Sequence, residues 1–248
     1  MTLHRTLWPW LVLASAPLRA AGEAADLAFR KIMLTGEYLC DGINAADIDG
    51  DGQVDVIAGP YWYAGPAFAT RHSFYEPVPQ PLEEKPTNSM FTFPYDFNGD
   101  GWMDLLVYGL PGEPAYVFVN AAGKGGDWAR HNIFDVADGE SPGFVDINGD
   151  GKPELLCHSS DLKKKGGKSG GQFGYAEIDW SNPLGKARFR PITPKSPAND
   201  QKIFKYTHGY GAGDVNGDGR MDILEKDGWY EQPKDTSKDS DWTFHPAK

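Results

Sequence analysis

Long apolar stretches are scarce in this chain of 248 residues. Residues 7–16 form an apolar segment near the N-terminus that is too short to span a bilayer, so the sequence predicts no transmembrane segment in the mature chain. Cysteine is also scarce. A disulfide between Cys40 and Cys157 would be allowed in a secreted protein, but two buried free thiols are the favoured interpretation. The predicted fold depends on neither choice.

Basic residues are outnumbered, with 24 Lys and Arg against 35 Asp and Glu, for a net charge of −11. No basic stripe is present, which argues against a nucleic-acid partner. The sequence also lacks a Gly-x-Ser-x-Gly elbow, a His-Glu-x-x-His helix and a phosphate-binding glycine loop. Residues 166–169, Gly-Gly-Lys-Ser, lack the preceding glycine that a phosphate loop requires. These absences argue against the commonest classes of hydrolase and nucleotide-binding protein.

One nine-residue pattern occurs four times, as Asp-x-Asp/Asn-x-Asp-Gly-x-x-Asp/Glu. Side-chain oxygens recur at positions 1, 3, 5 and 9, and glycine at position 6 allows a sharp turn. Ca²⁺ prefers such a set of hard oxygen ligands. A single copy would be compatible with an acidic surface turn, whereas four copies favour metal binding. The copies are loop 1 (residues 47–55), loop 2 (96–104), loop 3 (146–154) and loop 4 (214–222).

The residues after each loop exclude most helical calcium proteins. An EF-hand has a bidentate Glu at position 12, and here that position is Ala58, Val107, Cys157 or Glu225. Each loop is followed by a short run of apolar residues, which is typical of a buried strand. The flanks therefore predict an all-β protein and disfavour both the EF-hand and the dockerin module.

The repeat is longer than the loop. Similar strand-like segments that contain Arg or His lie upstream of loops, at residues 28–34, 69–75 and 128–134, and a fourth ends the chain at residues 242–248. Aromatic segments follow the loops. A period of 40 to 50 residues with about four short strands is typical of β-propeller blades. The third unit is longer, and its Lys/Gly/Ser-rich residues 161–172 are interpreted as a mobile excursion.

With these loops and flanking strands, the chain resembles the FG-GAP repeat family, also described as VCBS-type repeats, from about residue 26 to the end. The resemblance implies an integrin-like β-propeller of roughly 50-residue blades with structural calcium, about four ions per chain. It also implies that the position-7 carbonyls join the side-chain ligands. Glu154 departs from the usual final Asp. The implied ligands are Asp47, Asp49, Asp51, Gln53 and Asp55; Asp96, Asn98, Asp100, Trp102 and Asp104; Asp146, Asn148, Asp150, Lys152 and Glu154; and Asp214, Asn216, Asp218, Arg220 and Asp222.

The number of blades is ambiguous. Four units fall short of the seven that the resemblance implies, although four-bladed propellers exist. Residues 242–248 duplicate the segment that was assigned to the opening of each unit. We therefore expect a chain that stops inside a fifth blade, with a closed ring of four blades as the alternative. An incomplete ring would expose strand edges.

The N-terminus predicts secretion. Residues 1–22 combine a weak basic start, a short apolar segment and small residues, as a secretory signal peptide does. We expect residues 26–248 to form the propeller in a secreted, periplasmic or cell-surface location, where calcium is abundant. We also expect the calcium-free protein to be less stable, because a ligand that binds only the folded state stabilises it.

The histidines and aromatic residues leave two functions open. His72, His131 and His245 recur with the repeat, which favours an architectural role, whereas His158 and His208 do not recur. The favoured function is a non-catalytic recognition or adhesion module for a glycan or a protein. The alternative is an extracellular polysaccharide lyase or hydrolase on the same scaffold, with His208, His158, Lys202, Lys205 and Tyr206 as the first residues to test. Two roles are open for the aromatic residues Tyr61, Trp62, Tyr63, Trp229 and Tyr230. Packing between blades is favoured, and exposed platforms for a ligand are the alternative.

Overall fold

The computed structural model describes residues 29–78, 89–160, 171–195, 206–239 and 241–247. The proposed signal peptide and most of the Lys/Gly/Ser-rich segment lie outside these ranges, as do Lys202 and Lys205. Within the described residues the chain forms strands and no helix, so the all-β prediction is confirmed. In this part of the chain, accordingly, there is no helix with the length and apolar composition needed to cross a membrane.

Among the described residues, fifteen antiparallel strands form three hydrogen-bonded sheets, and all of them lie within the unit Leu34–Lys248. The strands are β1 Ile43–Ala46, β2 Asp55–Ala58, β3 Tyr61–Tyr63, β4 Arg71–Ser73, β5 Phe91–Tyr95, β6 Asp104–Tyr108, β7 Glu113–Val119, β8 Ala129–Val145, β9 Glu154–Ser159, β10 Gln172–Glu177, β11 Arg188–Pro191, β12 Gly211–Gly213, β13 Asp222–Glu225, β14 Gly228–Glu231 and β15 Thr243–Pro246.

The central seven-stranded sheet consists of two four-stranded units that share β8. The first part of β8, up to Ala137, pairs with β7, and its last part, from Gly143, pairs with β9. The register shifts between these parts. The chain thus contains four antiparallel meanders of four strands, here called sheet 1 (β1–β4), sheet 2 (β5–β8), sheet 3 (β8–β11) and sheet 4 (β12–β15). In every one, the Asp-rich loop joins the first strand to the second.

Consecutive sheets pack face to face through the alternation of side chains along the second and third strands. In sheets 2 and 3, one face contacts the sheet before it and the other face contacts the sheet after it, whereas sheets 1 and 4 each pack against one neighbour among the described residues. Burying these apolar side chains supplies most of the stabilisation of the stack. The contacting pairs are Ile57 and Trp62 with Leu105 and Phe118, Leu106 and Val117 with Leu155 and Ala176, and Leu156 and Tyr175 with Ile223 and Tyr230.

A repeated backbone hydrogen bond fixes the outer strands of neighbouring sheets. The N–H of Trp128 donates to the carbonyl of Phe74 over 3.0 Å, at the outer edges of sheets 2 and 1. The same bond recurs between sheets 3 and 2 and between sheets 4 and 3, from Ala187 to Ile133 at 2.7 Å and from Trp242 to Ile192 at 2.9 Å. No strand ladder joins sheet 4 to sheet 1 in the described part of the chain, so none of the sheets is closed.

The position of the Arg/His segments in the repeat was predicted wrongly. Residues 71–73, the first part of β8 and β15 are the fourth, outermost strands of sheets 1, 2 and 4, and each pairs with the aromatic third strand. Residues 29–34, which were assigned to the same role, form no strand. Thr243–Pro246 is therefore the fourth strand of sheet 4 and not, as expected, the first strand of a fifth blade.

Both cysteines are free thiols, as the sequence favoured. Cys157 is buried in β9 at the contact between sheets 2 and 3, whereas Cys40 is only half-buried. Burial raises the pKa of both thiols, and a protonated thiol is a poor nucleophile. Cys157 therefore acts as a small core residue.

Candidate metal centres in four equivalent loops

The first carboxylate of each loop is held in one orientation by two glycine N–H groups. In loop 1, Asp47 accepts hydrogen bonds from Gly50 at 2.8 Å and from Gly52 at 2.9 Å, one to each carboxylate oxygen. The other three loops repeat this cradle within a tenth of an ångström. The equivalent pairs are Asp96 with Gly99 and Gly101, Asp146 with Gly149 and Gly151, and Asp214 with Gly217 and Gly219.

Both glycines of each cradle have left-handed backbone conformations. In loop 2, φ is 74° at Gly99 and 88° at Gly101. The equivalent glycines of the other three loops have φ values between 74° and 87°. A side chain at such a position would be strained. The nine-residue pattern was defined with the glycine at position 6 but without the one at position 4. That glycine is also present in all four copies and is a readable signal.

Positions 3 and 5 form two overlapping turns. The side-chain oxygen of position 3 accepts the N–H of position 5, and the carboxylate of position 5 accepts the N–H of position 7. In loop 2 these are the bonds from Asp100 to Asn98 and from Trp102 to Asp100, each 2.9 Å long. The position-7 residues Gln53, Trp102, Lys152 and Arg220 therefore lie where the loop turns back, with their N–H groups directed inwards.

The carboxylate at position 9 is buried and ties the loop to the sheet. In loop 2, Asp104 is 0% exposed; it accepts the N–H of Phe97 at 3.0 Å and the N–H of Asn120, after β7, at 2.8 Å. Asp55 and Asp222 make the same pair of bonds. Position 9 is thus a structural residue in its own right.

Loop 3 differs at position 9, as the sequence indicated. The longer Glu154 accepts the N–H of Ile147 at 2.8 Å and the side-chain amide of Asn148 at 2.8 Å. Within the described residues it receives no bond from the strand that follows β9, unlike its counterparts. Burial raises the pKa of Glu154 to about 7, so this carboxyl group keeps its proton to a higher pH than an ordinary glutamate does.

Two buried amides connect neighbouring loops. The side-chain amide of Asn120 donates to the carbonyl of Ile48 in loop 1 at 2.9 Å and to that of Met103 in loop 2 at 3.0 Å. The amide of Gln232 does the same between loops 3 and 4, to Ile147 and Met221. These clamps were not predicted. They couple the geometry of one loop to that of the next.

Carboxylates converge most closely in loop 1, where oxygens of Asp47, Asp49 and Asp55 lie within 4.8 Å of one another. Burial raises the pKa of Asp49, and the neighbouring carboxylates of Asp51, Asp55 and Asp47 add to this effect. Clustered like charges of this kind favour binding of a cation. Loops 2, 3 and 4 carry Asn at position 3, which supplies a neutral oxygen in the same place.

Loop 4 contains a positively charged side chain, Arg220, beside its carboxylates. The guanidinium of Arg220 pairs with the carboxylate of Asp218, and its Nε donates to the carbonyl of Gln232 at 3.0 Å. Hydrogen bonds, first of all the one from the N–H of Gly219, lower the pKa of Asp214. The carboxylates at positions 1 and 5 of loop 4 are therefore oriented, and the guanidinium of Arg220 offsets part of the charge at position 5.

The recurrent histidines have the architectural role that was favoured. His72 stacks on Trp62 with ring centroids 4.3 Å apart, and His245 stacks on Trp229 at the same separation in sheet 4. His131 takes the equivalent position opposite Val117. Packing between blades was the favoured role of the aromatic residues over exposed platforms, and in sheet 1 Trp62 and Tyr63 are indeed buried, Trp62 in the core between sheets 1 and 2. Tyr61, Trp229 and Tyr230 are half-buried.

The residues of the enzymatic alternative do not form one site among the described residues. His158 is 0% exposed, and the centroid of its ring lies 4.0 Å from that of Phe173 and 4.4 Å from that of Tyr210. His208 is exposed, with Nδ1 3.8 Å from the carboxylate of Glu140, and Tyr206 is exposed as well. A buried ring and an exposed ring are poorly suited to act together on one polymeric substrate.

Comparison with known protein families identifies one segment of the chain. Residues 96–157 match the family model of the FG-GAP-like repeat. The match confirms the resemblance for that segment. The FG-GAP-like repeat begins at the first carboxylate of loop 2, passes through β6, β7 and β8, contains all of loop 3 and ends within β9. Comparison with curated proteins and with solved structures gave no match.

Proposed function

We propose that the chain is an extracellular β-propeller module whose four loops bind Ca²⁺ and whose surface recognises a glycan or a protein without catalysing a reaction. The observation that carries the proposal is the fourfold cradle. The same carboxylate, at the same position, is oriented by the same two glycines between the first and second strands of all four sheets. Random acidic turns would not share this geometry.

The chemistry of the loops suits calcium better than other common metals. Every loop offers oxygen ligands alone, from carboxylates, amides and backbone, as a hard cation with six to eight ligands requires. Zinc and other transition metals favour nitrogen and sulfur ligands, and no loop contains His or Cys. The residues at positions 1, 3, 5 and 9, with the carbonyl at position 7, would hold the ion.

A structural role for the ion follows from the position of the loops. Each loop connects two strands of a sheet, and the Asn120 and Gln232 clamps link the loops of neighbouring sheets. A bound cation would therefore hold the start of the second strand in place. Through the clamps it would also stabilise the loop of the neighbouring sheet. Four ions would also offset most of the net charge of −11, much of which lies in these loops.

The propeller arrangement is supported by the repeated sheets. Four meanders of four strands, each in contact with the next through the same two faces, are the building plan of propeller blades. The FG-GAP-like repeat at residues 96–157 supports the same architecture. The N-terminal sequence supports export from the cytoplasm.

Calcium is expected to raise the melting temperature substantially. A single site filled at a hundred times its Kd stabilises the folded state by about 2.7 kcal/mol, which corresponds to roughly 5–10 °C for a chain of this size. The measurement is a thermal melt of the mature chain with excess chelator, with calcium, and with magnesium as the control cation. Melting curves that coincide in all three buffers would contradict the proposal.

A further inference from the structure

A cavity of about 630 Å³ opens between sheets 1 and 2 beside loop 1. Trp62 and residues 71–73 line it from sheet 1, and residues 120–128, the connection from β7 to β8, line it from sheet 2. Asp49 of loop 1 lies at its edge. We call it the inter-sheet cavity. Its volume falls in the range of small-ligand sites.

Backbone without bulky side chains forms one wall of the inter-sheet cavity. Gly123, Gly125 and Gly126 all have φ between 70° and 86°, and Ala122 also has a positive φ of 52°. A Cβ atom at Gly125 or Gly126 would meet no atom within 4 Å, so packing does not require glycine there. The conformation that keeps this wall open is held by Asn120, whose Oδ1 accepts the N–H of Ala122 at 2.9 Å.

The side chains that face the cavity combine an apolar base with polar groups that have spare hydrogen-bonding capacity. Trp62 and Trp128 are 8% and 9% exposed, and the exposed ring of His72 lies flat on Trp62. Neither the imidazole of His72 nor the carboxylate of Asp127 has a hydrogen-bond partner within the described part of the chain. Asn120, by contrast, uses both amide hydrogens and its oxygen on backbone groups, so it positions the wall and does not contact a ligand.

The charges around the cavity select against anions. Asp127 contributes a carboxylate that lies outside the proposed calcium loops, while the guanidinium of Arg71 already pairs with Glu37 at 2.9 Å and lies over the ring of Tyr61 at 4.3 Å. A carboxylate and an imidazole beside an aromatic surface suit a neutral ligand that has several hydroxyl groups and an apolar face. A pyranose ring has both properties.

We propose that the inter-sheet cavity is a binding site for a neutral oligosaccharide, with Asp127 accepting hydrogen bonds from hydroxyl groups and His72 forming the contact surface. This proposal rests on the recognition function proposed above and deepens it by naming the ligand class and its place. Uronic-acid polymers and other anionic glycans are excluded from the site by Asp127, whose charge is not offset by a proposed calcium ion.

Calorimetric titration in calcium-containing buffer tests the proposal with four probes: mannohexaose, cellohexaose, β-1,4-galactohexaose and, as the acidic probe, hexagalacturonate. We expect at least one neutral hexasaccharide to bind, and hexagalacturonate not to bind. Asp127→Ala is expected to weaken binding about tenfold, since a hydrogen bond to a charged group is lost. His72→Ala is a second variant, and Asp241→Ala, at an exposed carboxylate of residues 241–247, is the matched control.

Each outcome has a defined meaning when a thermal melt is recorded on the same samples. Failure of all three neutral probes to bind, or binding that is unchanged in both Asp127→Ala and His72→Ala, would overturn the cavity proposal. If calcium still raised the melting temperature in either case, the calcium-binding scaffold would stand. A melt that does not respond to calcium would count against the scaffold itself. Unchanged melting of Asp127→Ala would show that its loss of binding is local.

Discussion

Replacing Asp104 with alanine is expected to lower the free energy of unfolding by about 2–5 kcal/mol, even without calcium. Asp104 is fully buried and accepts the N–H groups of Phe97 and Asn120. Each buried N–H that loses its acceptor costs about 1–3 kcal/mol. The change also releases Asn120, which clamps loop 2 to loop 1. Urea denaturation in excess chelator measures the effect.

Asp100→Ala is the matched control for this prediction. Asp100 lies in the same loop and is a proposed calcium ligand, but it is exposed and its bond from Trp102 lies at the surface. Asp100→Ala should therefore be much less destabilising than Asp104→Ala in chelator and should lose stability relative to the parent chain mainly when calcium is added. Equal losses for the two variants in chelator would contradict the structural role of position 9.

The calcium-free protein is expected to lose stability at loop 3 as the pH rises. Burial raises the pKa of Glu154 in the folded chain to about 7, from an ordinary value of 4.5. The folded state therefore binds this proton more tightly than the unfolded state. The stabilisation is fully present below pH 4.5 and is lost as the pH rises to about 7. Glu154→Gln removes the titrating group and should remove this part of the pH dependence.

The measurement for Glu154 is the difference in unfolding free energy between the parent chain and Glu154→Gln, determined in chelator across this pH range. Taking the difference removes the contribution of other carboxyl groups, such as Asp104, whose pKa burial also raises. Glu113→Gln, at an exposed position of β7, is the control substitution. A difference that stays constant with pH would show that folding does not raise the pKa of Glu154.

The loops and the strands beside them were predictable because their signals are local. Four residues with oxygen side chains and a glycine determine each turn, and a short apolar run specifies the buried second strand. The fourth strands were recognised as strands but assigned to the following unit. A repeating sequence has no inherent starting point, so only the pairing of β4 with β3, and of β15 with β14, shows where one unit ends.

The clamps and the inter-sheet cavity depend on contacts between sheets, which the sequence does not reveal. Nothing in the local sequence distinguishes Asn120 from a surface asparagine, yet its amide reaches Ile48 in another loop, 72 residues away along the chain. Packing was favoured for Trp62, but the sequence left an exposed platform open because Gly and Pro flank it; the structure decides for packing, since Trp62 shares a core cluster with Ile57 and Phe118. The glycine at position 4 is different, since it is visible in every copy of the sequence pattern.

The most direct test of the account is the number of calcium ions that the mature chain binds, determined by calorimetry after complete removal of calcium. We expect about four ions per chain, one for each loop. Asp96→Ala, which removes the oriented carboxylate of loop 2, should lower the number by one. Binding of no ion or of a single ion, or an Asp96→Ala variant that binds as many as the parent chain, would contradict the account.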